Sequence, residues 1–151
     1  MREYLLTLLV TAAVTYVLTP LVRRLAIRGK VMHEARDRDV HVVPIPRWGG
    51  LAMYAGLAAG LIAAGQMYPL NTVFQGTGAL TTQTGLLLAG GLIVAIGMID
   101  DRWGLSPISK LAGQVAAAGI LVWSGQSLPW LPMPNGGVFS LEPDLSLTLT
   151  I

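Results

Sequence analysis

Four apolar stretches, separated by shorter polar ones, limit what this chain can fold into. They run over Tyr4–Leu21, Trp48–Met67, Thr84–Ile99 and Ile108–Trp123. A helix rises 1.5 Å per residue and needs about 20 apolar residues to cross a ~30 Å hydrocarbon core, which these stretches approach. Composition agrees: 53% of the residues are hydrophobic and 12% charged, about half the charged share of a soluble domain. The sequence therefore predicts an all-α polytopic membrane protein with four transmembrane helices, at about 4–24, 48–67, 84–99 and 107–124. A cleaved signal peptide is the competing reading of the first stretch and fits poorly. Its charges, Arg23, Arg24 and Arg28, follow the apolar run, and no small-residue cleavage site precedes polar chain. There is no cysteine, which excludes disulfides and thiolate chemistry.

The basic residues orient these spans. Of ten Lys and Arg, seven lie from Arg23 to Arg47, two more are Arg102 and Lys110, and only Arg2 precedes the first span. The positive-inside rule then places the loops 25–47 and 100–106 in the cytoplasm, with the N-terminus and the tail 125–151 outside. In that tail, Asn135-Gly136-Gly137 between Trp130-Leu131 and Val138-Phe139 reads as a short hairpin or loop. Leu145–Ile151 looks like the opening of another apolar segment, so the sequence reads as a truncated chain, one part of a single multi-span domain. The many glycines of the second and third spans, such as Gly56, Gly60, Gly85 and Gly90, read as packing positions that let helices approach closely.

Three features fall on the cytoplasmic side. Asp100-Asp101 closes the third span. Carboxylates at a helix C-terminus oppose the macrodipole, so local stability does not explain them. They are either a solvated acidic stop or a functional pair that handles a cation, a phosphate or a proton. Ser106-Pro107-Ile-Ser-Lys110 reads as an N-cap followed by a proline in the first turn, with Lys110 and Gln114 on one face. Lys110 is then a phosphate contact at a helix start or a lysine reaching for the interface. In His41-Val-Val-Pro-Ile-Pro-Arg47-Trp48-Gly-Gly50, two prolines stiffen the approach to the second span. Arg47 suits a phosphate or anchors the span beside an interfacial tryptophan.

Together, Pro44-Ile-Pro-Arg-Trp-Gly-Gly-Leu-Ala-Met-Tyr-Ala-Gly56 and Gly97-Met-Ile-Asp-Asp-Arg-Trp-Gly-Leu-Ser-Pro-Ile-Ser-Lys-Leu-Ala-Gly-Gln114 resemble the polyprenyl-phosphate N-acetylhexosamine-1-phosphate transferases. The resemblance is strongest to the branch that uses UDP-N-acetylglucosamine; the muramoyl-pentapeptide transferases are more distant. It implies transfer of N-acetylglucosamine-1-phosphate from UDP-N-acetylglucosamine to an undecaprenyl or decaprenyl phosphate, with release of UMP, at the cytoplasmic face of the cell membrane. It implies Mg²⁺, or Mn²⁺ in its place, and catalytic roles for Asp100 and Asp101, either of which could also touch the metal. Helix geometry alone does not choose between them, and Asp100 is taken as the phosphate-facing member. Lys110, Arg47 and Gln114 would bind substrate. Partners would be a UDP-N-acetylhexosamine, the polyprenyl phosphate, the membrane and a second copy in a homodimer, with no nucleic acid. The main metal ligand and a His-rich loop are expected beyond Ile151, so the 151 residues alone are expected to be inactive. The sequence departs from the family pattern at Val42-Val43, where basic residues are common, and at His33, where an acidic one is. Two other classes compete: an inactive four-span assembly or binding protein, and a transporter fragment with Asp100-Asp101 as its ion site. The transporter predicts polar groups near mid-membrane, whereas the charges here gather at one face.

Overall fold

The computed structural model describes residues 1–29, 32–33, 45–74, 80–126, 130–132 and 138–140. The four apolar stretches are all helical: α1 (Arg2–Arg28), α2 (Gly49–Gly65), α4 (Thr82–Trp103) and α5 (Pro107–Trp123), with a single turn, α3 (Leu70–Val73), between α2 and α4. The helical expectation holds, and short extended pairs accompany the helices. Two short antiparallel pairs are present, β1 (Met32–His33) with β2 (Ile45–Pro46) and β3 (Trp130–Pro132) with β4 (Val138–Ser140). Proline at 46 biases Ile45 toward extended backbone, and Ile45 duly faces His33 across the first pair. In the second, Trp130 faces Ser140 and Leu131 faces Phe139. This matches strands flanking the anticipated turn; Asn135-Gly136-Gly137 itself lies outside the described residues.

Helix ends differ from the hydropathy boundaries. The apolar run of α4 stops at Ile99, yet the helix continues to Trp103. Asp100 and Asp101 thus sit in its last turns and not in a loop spanning 100–106. The break comes at Gly104, whose φ of +69° suits glycine and whose N–H bonds the Asp100 carbonyl at 2.9 Å. Only Gly104, Leu105 and Ser106 separate α4 from α5. The start of α5 is as anticipated, with Pro107 in the first turn and Ser106 Oγ accepting from the Ser109 N–H at 3.2 Å.

The helices pack through small residues. On α2, the buried Ala52, Gly56, Gly60 and Ala64 recur every fourth position and form one stripe. Facing them on α1 is a ladder of Thr7, Thr11, Thr15 and Thr19, each hydroxyl donating to the carbonyl four residues back at 2.6–2.9 Å. A Cβ on Gly56 would collide with Thr15 Oγ1 and lie 2.8 Å from the Thr11 carbonyl oxygen. Tyr54 Oη donates to the Leu87 carbonyl at 2.6 Å and Gln83 Nε2 to the Leu61 carbonyl at 2.9 Å, which ties α2 to α4. Gly113 of α5 meets Ile96 of α4. Among the described residues the buried hydrophobic positions are mostly alanines, whereas Leu5, Leu8, Leu9, Val17, Ile108 and Leu111 point outward. Small side chains inside and large apolar ones outside is the arrangement expected of helices in lipid. Two of the helices, α1 and α4, are long and apolar enough to cross a membrane; α2 and α5, at 17 residues each, are shorter apolar helices.

Candidate active site

One end of the bundle brings together the exit of α1, the start of α2, the exit of α4 and the start of α5. The short turn after α4 folds α5 back against it, so residues ten apart in sequence meet. Lys110 Nζ lies 2.9 Å from Asp100 Oδ2, while Asp100 Oδ1 accepts the Leu105 N–H at 2.8 Å. Both carboxylate oxygens of Asp100 are therefore engaged, one by a charge and one by the turn. Asp100 lies past the apolar part of α4. Its hydrogen bond with Lys110, then that with the Leu105 N–H, hold its carboxyl below the usual carboxylate range; partial desolvation works against them, and the Lys110 and Arg47 charges add to the lowering. The repulsion expected of adjacent carboxylates is thus answered by cations.

Asp101 points elsewhere, as a helical step of about 100° requires. Its Oδ1 lies 3.9 Å from Arg47 Nη1, a Coulomb contact too long for a hydrogen bond. Arg102 donates through Nη1 to the Gly29 carbonyl at the end of α1, and its guanidinium carbon lies 5.6 Å from the Trp103 ring centroid.

Between α4 and α5 is a cleft of about 170 Å³ lined by Ile93, Ile96, Gly97, Asp100, Lys110 and Gln114. The lining on α4 follows the i, i+3, i+4, i+7 pattern of one helix face, and Lys110 and Gln114 supply the opposing wall. Of the five site residues anticipated from sequence, Asp100, Lys110 and Gln114 share this cleft. Arg47 and Asp101 form a second pair at the same end of the bundle but do not line it. His41, Val42 and Val43 lie outside the described residues, and His33 is placed only through its backbone in β1. Sequence reasoning missed the Leu105 clasp on Asp100 and the Arg102 bond to Gly29. The glycine at 104 was the available signal for the first, and nothing in the sequence pointed to the second.

The described residues do not by themselves fit a resident divalent cation. No three metal-ligating side chains converge among them, both Asp100 oxygens already have donors, and Asp101 is countered by Arg47. What the cleft offers is a lysine held by a carboxylate beside an amide, on an apolar wall. That arrangement suits a phosphate that takes Lys110 from Asp100, which frees Oδ2 while the Leu105 N–H keeps Oδ1.

Residues 83–151 match glycosyl transferase family 4. Over its whole length the chain is 45% identical to the decaprenyl-phosphate N-acetylglucosaminephosphotransferase of Mycolicibacterium smegmatis and 42% identical to that of Mycobacterium leprae. It is 28% identical, over 134 residues and 89% of its length, to a Bacillus subtilis protein named probable undecaprenyl-phosphate N-acetylglucosaminyl 1-phosphate transferase. The chain spans 38%, 39% and 34% of the lengths of these three relatives. No solved structure matches it.

Proposed function

We propose, for a chain whose residues 83–151 match glycosyl transferase family 4, that it forms part of a membrane enzyme of that family moving N-acetylglucosamine-1-phosphate from UDP-N-acetylglucosamine to a polyprenyl phosphate. An oxygen of the lipid phosphate attacks the β-phosphorus of the donor, the bridging P–O bond breaks, and UMP leaves. Four spans with the N-terminus outside would put the Asp100–Lys110 cleft at the cytoplasmic interface. A soluble anionic donor and a lipid-anchored acceptor can meet only at such a boundary. The charge asymmetry of the sequence supports that orientation.

The observation that carries the reading is the Asp100–Lys110 pair in its cleft. Lys110 is a compact cation suited to a diphosphate. While Lys110 holds it, Asp100 is a poor proton acceptor beside a phosphate whose second pKa is about 6. A phosphate that draws Lys110 away removes the largest influence lowering the proton affinity of Asp100, next to the acceptor, while the Leu105 N–H stays in place. Gln114, one turn beyond Lys110, adds an uncharged donor and acceptor to the same wall. Mg²⁺ is proposed as the ion of the complete enzyme. Its site is not formed by the described residues.

The test uses a chimera in which this chain replaces the matching segment of the Mycolicibacterium smegmatis relative, with membrane insertion checked separately and UMP release followed. Asp100→Asn keeps shape and removes the charge, and is expected to lower kcat by roughly 10²–10⁴-fold, the range of general acid–base catalysis. Lys110→Ala is expected to raise KM for the nucleotide sugar. If inserted Asp100→Asn turns over like the parent, the acidic pair is only a helix end and this reading is wrong.

A further inference from the structure

Three consecutive residues at the end of α4 reach three different elements. Asp100 turns to Lys110 on α5, Asp101 to Arg47 at the start of α2, and Arg102 to the Gly29 carbonyl at the exit of α1. Successive helical side chains diverge by about 100°, and four helix ends surround this turn, so each residue finds its own neighbour. The second and third contacts grip the two ends of a single segment, the connection 30–46 between α1 and α2. The β1–β2 pair, Met32 opposite Pro46 and His33 opposite Ile45, closes the neck of that segment. Only Asp100 of the three lines the cleft.

We propose that Asp101 and Arg102 are positioning residues: they hold the neck of the 30–46 connection against α4, and Asp101 acts on the reaction through Arg47. This rests on the reading of the cleft as the transfer site. The contact of Asp101 with Arg47 is long, and the two side chains are 29% and 40% exposed, so it orients more than it stabilises. The Arg102 contact has a different basis. A cationic donor at the C-terminal carbonyls of α1 satisfies an orphan acceptor and complements the helix dipole, and the Trp103 ring beside the guanidinium narrows where it can go. Two consecutive side chains of opposite charge thus hold the residues just before and just after one connection, Gly29 and Arg47.

In the same chimera, Asp101→Asn and Arg47→Gln are each expected to raise KM for UDP-N-acetylglucosamine while kcat stays within about threefold, the signature of lost uniform binding. The double variant should be no worse than Arg47→Gln alone, because Asp101 acts through Arg47, whose loss already removes the Asp101 contact together with the other interactions of Arg47. Arg102→Met is expected to raise the same KM, and Arg102→Lys, which keeps a donor for the Gly29 carbonyl, to recover most of it. A fall in kcat for Asp101→Asn matching that of Asp100→Asn, or effects of Asp101→Asn and Arg47→Gln that multiply, would overturn the proposal. If Asp101→Asn does not insert, the exchanged pair Arg47→Asp with Asp101→Arg replaces it. Turnover at the Arg47→Gln level then supports the clamp, and a collapse to the Asp100→Asn level refutes it. Parental turnover in Asp100→Asn would defeat the transfer-site reading itself, a separate outcome from either of these.

Discussion

The α1–α2 seam makes a sharp demand on one residue. A methyl group at Gly56 would meet two obstacles: the Thr15 hydroxyl, itself bonded to the Thr11 carbonyl at 2.8 Å, and that carbonyl oxygen, 2.8 Å away. The hydroxyl can rotate if it gives up its bond. The carbonyl is backbone, so restoring ordinary contact near 3.4 Å means the helices part by about 0.6 Å along the whole threonine ladder. Overpacking of this kind costs about 1–3 kcal/mol, against which alanine returns up to about 1 kcal/mol of helix propensity over glycine. Gly56→Ala should therefore destabilise the chain by about 1 kcal/mol net, roughly fivefold in the unfolding equilibrium. Gly119 of α5 is the control, since a Cβ there meets nothing within 4 Å; Gly119→Ala should be neutral or stabilising by up to about 1 kcal/mol. Adding Thr15→Ala to Gly56→Ala should recover only part of the loss, because the Thr11 carbonyl remains. Titration of the 151-residue chain from mild detergent into SDS, followed by far-ultraviolet circular dichroism, measures the parent and the three variants. Gly56→Ala equal to or more stable than the parent, or fully rescued by Thr15→Ala, would refute the backbone-contact argument.

Three other outcomes are expected. Cysteines introduced singly at Asp37 and Gly136, in a chain that has none of its own, should label from opposite sides of sealed vesicles; labelling from one side contradicts the four-span orientation. The folded-state pKa of Asp100 is lowered from 3.8, so its pairing stabilises the fold fully above the ordinary carboxylate range and is lost as pH falls through the lowered value. Lys110→Met should move the Asp100 titration upward in carbon-13 spectra of labelled aspartate, and an unmoved titration would show that Lys110 is not what holds it. Ser106→Ala removes the N-cap of α5 and should cost about 1 kcal/mol, seen as faster amide exchange at Ser109; unchanged exchange there would mean the cap contributes nothing.

Much of the helical layout was legible because hydrophobic runs and caps are local signals. Ser106-Pro107 marked the start of α5 correctly, and the four-residue spacing of Lys110 and Gln114 placed both on the cleft wall. At the end of α4 hydropathy and capping disagree, so the acidic pair was legible as a helix end but the extent of the helix beyond it was not. The apolar run stops at Ile99, but the stop signal is Gly104, and backbone geometry follows the glycine. Those four further residues keep Asp100 on a helix, where it meets Lys110 of α5. The partners of Asp101 and Arg102 were not legible at all. Each lies more than fifty residues away, and which neighbour each one meets depends on how four helix ends converge. The β1–β2 pair was equally hidden, since two residues per strand leave no periodicity to read; only the prolines at 44 and 46 hinted at extended backbone.

The arrangement of charge at this end of the bundle bears on how a substrate could enter. Among Arg47, Asp100, Asp101, Arg102 and Lys110 there are three cations to two carboxylates, and Arg102 is bound to a carbonyl and not to an acid. The acidic pair, which alone would repel a phosphate, is therefore covered, and the local balance is slightly positive. Two exposed carboxylates beside a lipid–water boundary would oppose a nucleotide diphosphate at a range of about 8–10 Å, the Debye length at moderate salt. Paired as they are, each carboxylate keeps its basic partner in place until a stronger anion competes for it. The stronger competitor is a diphosphate, which carries more charge than one carboxylate and offers several oxygens to Lys110. Exchange of Lys110 from Asp100 to the ligand then costs little Coulomb energy, because one ion pair replaces another. Under the proposed function, Asp100 would be released only when a phosphate arrives beside it, so recognition of the anion and exposure of the carboxylate would be one event.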